Sequence, residues 1–114
     1  MITMETLKEF GIDPKDGLAR CMNKEDFYFK MLKLGLSNEH FDTIEELLRE
    51  KKVKEGFEAA HALKGVVGNL ALTPMYEPLS KLTELLRHGQ DGDYLAIYAP
   101  VKEMRDKLLK LANE

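Results

Sequence analysis

One cysteine, Cys21, stands in a chain of 114 residues. It excludes an internal disulfide and any cysteine-rich metal site. No apolar run approaches the roughly 18 to 20 residues that cross a bilayer. Met1-Ile2-Thr3-Met4-Glu5 lacks the basic start and apolar middle of a secretion signal, so the cytoplasm is the expected compartment and no membrane partner is expected. Basic residues are not in excess: the formal net charge is −3. That argues against nucleic acid as a partner, because such binding needs a basic patch. No stretch alternates as a strand does, and there are no internal repeats, linkers or low-complexity segments. What remains is 44% hydrophobic and 32% charged, ordinary for a globular chain, at a length suited to one domain over 1–114.

The apolar spacing is helical almost throughout. Thr3 is a candidate cap for a short helix over Met4 to Phe10, with Gly11 beyond its end. Asp13-Pro14 is a second start signal, proline being harmless at the first helical position; Leu18, Cys21 and Met22 are its expected buried side. Asn23 is read as opening the next helix, with Phe27, Met31 and Leu34 as its stripe and Gly35 as its stop. Ser37 or Asn38 then starts a helix with Phe41, Ile44, Leu47 and Leu48 inward. Lys51-Lys52 marks the turn into a long helix from about Val53 to Leu70 or Leu72. Thr73-Pro74 repeats the cap-plus-proline signal before Leu79, Leu82, Leu85 and Leu86, with Pro78 disturbing the first turns. After the turn Gln90-Asp91-Gly92-Asp93, Tyr94, Ile97, Val101, Met104, Leu108 and Leu111 line a last helix that Pro100 should kink. The expected fold is all-α, an antiparallel four-helix bundle with short additional N-terminal helices.

The long central helix carries an unusual strip. At about 100° per residue, Ala59, Ala60, Leu63, Val66, Val67 and Leu70 cluster around a direction roughly 200° from His61. Lys54, Phe57, Glu58, Lys64, Gly65 and Gly68 lie within about 60° of His61 itself. His61 is therefore expected to face away from the core. Lys64, one turn on, stands close enough for its ammonium to meet an anion on the ring. Glycine inside a helix costs about 1 kcal/mol relative to alanine, so Gly65 and Gly68 on this outer strip suggest that something comes close. Phe57, an aromatic on the same side, either tucks against the rim of the adjacent helix or offers an apolar docking contact.

His61-Ala62-Leu63-Lys64-Gly65 resembles the H-x-L-K-G signature of histidine-containing phosphotransfer (HPt) domains. Asn69-Leu70 follows at the spacing where that family commonly has such a pair. Gly17-Leu18-Ala19-Arg20 and Asn23-Lys24-Glu25-Asp26-Phe27-Tyr28 resemble the usual entry into its bundle. Val66-Val67 and Ala71-Leu72 depart from the small residues usual there, largely on the core side. The resemblance implies a carrier of a multistep two-component phosphorelay. His61 would take a phosphoryl group from a receiver-domain aspartate, or from a sensor histidine kinase, and pass it to another response-regulator receiver. Lys64 would stabilise its charge, and Gly65 and Gly68 would let the partner approach; Glu58, Asn69 and Phe57, the last not named by the signature, are the further candidate partner contacts on this strip. Mg²⁺ would sit on the receiver, with no metal or cofactor on this chain. Nothing resembles a nucleotide-binding loop, so His61 is not expected to phosphorylate itself from ATP. A free-standing monomeric carrier is the expectation.

Two other readings compete. Glu58-Ala59-Ala60-His61 matches the Glu-x-x-His motif of di-iron bundles, but those sites need two such motifs aimed into the core. The other is an HPt-like adaptor that docks a receiver or kinase without relaying phosphate. His40 and His88 lack the lysine and glycine surroundings and read as surface residues near helix ends.

Overall fold

In a computed structural model describing all residues 1–114, the chain forms seven helices: α1 (Met4–Glu9), α2 (Pro14–Arg20), α3 (Glu25–Leu36), α4 (His40–Arg49), α5 (Val53–Asn69), α6 (Thr73–Arg87) and α7 (Tyr94–Ala112). Several begin where local chemistry dictates. Thr3 and Thr6 exchange hydrogen bonds in a capping box at α1. Asp13 accepts from the Lys15 amide ahead of Pro14, and Asp93 accepts from the Ala96 amide at α7. Gly11 beyond α1 adopts φ +78, open to glycine at little cost. Both α6 and α7 run unbroken past their prolines, Pro78 and Pro100.

Helices α4 to α7 form an antiparallel four-helix bundle. Each packs on the next in sequence, and α4 closes on α7, while α3 lies against α7 with α1 and α2 leading into it. Short connections between amphipathic helices favour this neighbour-on-neighbour order. Phe41, Ile44, Leu48, Leu63, Val67, Met75, Leu79, Leu82 and Val101 are among the buried side chains of one continuous core. Two polar ties cross it. The Tyr98 hydroxyl donates to the Phe41 carbonyl at 2.6 Å. The buried Arg105 donates through Nε to the Leu36 carbonyl and through both terminal nitrogens to Asp42, at 2.7 and 3.0 Å. Those Arg105 hydrogen bonds hold the Asp42 carboxyl below its ordinary value.

Several local expectations give way. The buried stripe of α3 is Tyr28, Leu32 and Leu36, whereas Phe27 and Leu34 are exposed. Two adjacent stripes of this helix are apolar, and long-range contacts decide between them. The Tyr28 hydroxyl donates to the Leu70 carbonyl at 3.0 Å. Gly35 does not stop the helix; it lies within it, where a Cβ would come 2.5 Å from Leu70 Cδ1 and 3.1 Å from Val66 Cγ1. Met22 is exposed, since it and Asn23 take left-handed φ values of 57 and 58 in the turn between α2 and α3. Asn23 thus does not cap α3, whose N-cap position is Lys24. The cap position of α4 is Glu39, although the Asn38 side chain accepts from the His40 amide. Thr73 is already helical, with Leu72 in the N-cap position of α6.

Candidate functional site

His61 lies midway along α5. One side of the helix buries Gly56, Ala59, Ala60, Leu63 and Val67. On the other, Lys54, Glu58, His61, Gly65 and Asn69 are exposed, and Phe57, Lys64 and Gly68 are half-buried. The helical period alone produces this division, so the sided arrangement expected of the strip is what is seen.

Side chains of a helix lean toward its N-terminus, so His61 leans back onto the residue four before it. Its ring stacks on Phe57, centroids 5.7 Å apart and planes 20° from parallel. Arg87 of α6 reaches the same phenyl ring, its Cζ 5.2 Å from the centroid. Phe57 is therefore covered from within the chain, at the rim of the adjacent helix. One turn beyond His61, the Lys64 ammonium rests 5.7 Å from the Tyr76 ring centroid.

The two outer glycines differ. A Cβ on Gly65 would meet nothing within 4 Å, while one on Gly68 would come 3.3 Å from Tyr76 Cε2. The Gly68 carbonyl also accepts from Arg20 Nη1 at 2.9 Å, a contact spanning 48 residues. Arg20 Nε in turn lies 3.5 Å from Asp16. The closeness at Gly68 is thus met by the chain itself, and Gly65 alone of the pair faces open space. Together His61, Lys64, Gly65, Gly68, Arg20 and Tyr76 border an open hollow of about 470 Å³. Its walls come from α2, the second half of α5 and the start of α6.

Arg20, Tyr76 and Arg87 escape a reading of the sequence for function. Arg20 and Arg87 belong to other helices and carry no periodic link to His61. Tyr76 follows a proline-led helix start whose orientation only the packed bundle sets. Glu58 and His61 both face solvent, where a di-iron site would need them inside the bundle. His40 Nδ1 pairs with Asn38 at 2.9 Å, and His88 Nε2 stands 3.6 Å from Glu84, both near helix ends and away from Lys64.

Fold and strip together define a class: an all-α bundle whose one histidine with a lysine and an open glycine beside it faces solvent. The chain belongs to the Hpt domain family, whose model, described as Hpt domain, matches residues 34–114. The match takes in α4 to α7 and the end of α3; α1, α2 and Arg20 lie outside it. No curated protein and no solved structure matches the chain. Membership places it in phosphotransfer-related two-component signalling, in which such domains interact with receiver domains or kinases. No helix is long and apolar enough to cross a membrane.

Proposed function

We propose that this chain, acting as one domain over residues 1–114, is a cytoplasmic phosphoryl carrier of a multistep phosphorelay, with His61 as the carrying residue. The single observation behind the proposal is the placement of an exposed imidazole with a lysine and an open glycine one turn beyond it, on the helix face opposite the core. An imidazole has a neutral, nucleophilic form near neutral pH. In the first step its unprotonated ring nitrogen attacks the phosphorus of a receiver's aspartyl phosphate. The N–P bond forms as the P–O bond breaks, the electron pair leaves on the aspartate carboxylate, and the proton on the other ring nitrogen is free to exchange with water. The second step runs in reverse onto another receiver's aspartate.

Phosphoryl transfer asks chiefly for alignment and charge stabilisation. Lys64 supplies a positive charge one turn from the ring, resting on Tyr76 and free to swing to the phosphoryl oxygens. Gly65 leaves the approach clear, and exposed Glu58 and Asn69 border it as partner contacts. Phe57 and Gly68 are half-buried on the same face of α5. Mg²⁺ belongs to the receiver in this scheme, and the carrier works as a monomer.

The test is to mix the protein with phosphorylated receiver domains and assay it for acid-labile, base-stable phosphate. Label on the wild type and none on His61→Gln is the expected result. Equal label on His61→Gln, or none on the wild type with several receivers, overturns the relay. Binding to a receiver with no transfer would point to the adaptor reading.

A further inference from the structure

The stack at His61 has a role that the signature residues do not supply. We propose that Phe57, itself held by Arg87, is the positioning residue that fixes the His61 ring for phosphoryl transfer. The idea rests on the carrier reading above and deepens it.

An exposed histidine on a helix has more than one staggered χ1 rotamer and a broad χ2. Proteins usually restrict a working imidazole by hydrogen-bonding one ring nitrogen. Of the three histidines here, only His40 has a ring nitrogen so bonded within the chain, to Asn38. His61 has instead an aromatic face: Phe57 lies parallel to within 20° at a centroid distance of 5.7 Å. This restraint suits the chemistry. The nucleophilic lone pair of imidazole lies in the plane of the ring, so a neighbour on the face limits rotation and leaves the reacting edge in solvent.

Phe57 can serve this way because it is anchored. It is half-buried against the core cluster, and Arg87 reaches over it from α6. Arg87 Nε lies 3.3 Å from Glu84, one turn earlier on its own helix. The orientation of the ring on α5 is thereby referred to α6, the helix packed beside it. Phe57 is half-buried, with His61 and Arg87 already against its ring. Its effect should therefore appear in the rate of the chemical step rather than in affinity.

Two measurements test this on the full chain. In the first, the aromatic protons of the three histidines are compared by NMR in wild type, Phe57→Leu and Phe57→Tyr. His61 protons displaced by the phenyl ring current in wild type and in Phe57→Tyr, but not in Phe57→Leu, are expected, with His40 and His88 unmoved. His61 shifts that ignore Phe57→Leu would overturn the stack. In the second, single-turnover transfer from a phosphorylated receiver is followed against receiver concentration. Phe57→Leu should lower the saturating rate about five- to tenfold with unchanged half-saturation, and Phe57→Tyr should restore it. Arg87→Gln should have a smaller effect than Phe57→Leu, and Arg87→Lys, which keeps the cation, less still. An unchanged saturating rate with raised half-saturation makes Phe57 a docking residue and defeats the proposal. If wild-type His61 accepts no phosphate, the carrier reading fails, while the ring-current measurement still decides whether Phe57 orients the imidazole.

Discussion

Gly65 and Gly68 present the same chemistry at two neighbouring positions with different reasons for it. Gly68 admits Tyr76 and offers its carbonyl to Arg20, so its lack of a side chain has an internal explanation. At Gly65 a Cβ would touch nothing, and the helix carries the cost of glycine with no return in packing. Gly65→Ala should therefore stabilise the fold by about 0.5–1 kcal/mol, seen as a raised melting temperature. The same substitution should slow transfer from a phosphorylated receiver, because the added methyl stands where the partner approaches. A melting temperature that rises while transfer is unaffected would remove Gly65 from the partner surface. The outward strip of α5 was legible in the sequence because helical period is a local property. Which of its glycines was already occupied was not, since Arg20 stands 48 residues from Gly68.

Among the elements, α2 and α3 show packing deciding what the local pattern leaves open. Gly17 of α2 is buried beneath Tyr28: a Cβ there would lie 2.5 Å from the hydroxyl oxygen and 2.6 Å from two ring carbons. The ring cannot move aside cheaply, because it is fully buried and its hydroxyl is bonded to Leu70. Gly17→Ala should cost about 1–3 kcal/mol, measured as a lower urea midpoint with an unchanged slope. A midpoint equal to wild type would mean that α2 shifts freely over α3. This pair also marks where the sequence stops being informative. Phe27-Met31-Leu34 and Tyr28-Leu32-Leu36 are both apolar at helical spacing, and period alone prefers neither. The choice is made by a phenol that finds a carbonyl 42 residues away and by a glycine that lets Leu70 and Val66 approach. In α4 and α6, by contrast, one face is apolar and the other charged, and their buried sides follow from the pattern.

For the whole molecule, two buried phenols and the half-exposed Asp42 make stability depend on pH at both extremes. Burial pushes the Tyr28 phenol up from 10.0 to about 12, and burial raises Tyr98 as well. A group raised in the folded state contributes its full stability below the unfolded value and loses it as pH climbs through the folded one. Stability should thus hold up to about pH 10 and decline above it. Tyr28→Phe should make that decline shallower when urea midpoints are compared across alkaline pH; an unchanged slope would exclude Tyr28 as its source. Asp42 has the opposite sign: lowered by its Arg105 hydrogen bonds, it stabilises above the unfolded value and loses that contribution as pH falls through the folded one. Its side chain is 56% exposed, so water screens much of this contribution and the acid limb should be the gentler. The bundle itself was readable from amphipathic segments with short connections. Arg105–Asp42, 63 residues apart, was not.

Arg20 and Tyr28 fasten the first part of the chain to the end of α5, at the carbonyls of Gly68 and Leu70. In kinetic terms, those are contacts of high sequence separation, whereas α4 on α5, α5 on α6 and α6 on α7 join neighbours along the chain. Closing a long loop costs entropy before its contacts repay it. The helix that bears His61 should accordingly find its place beside α4 and α6 early, and the α2 wall of the hollow, like the closure of α4 on α7 through Arg105 and Asp42, should come later.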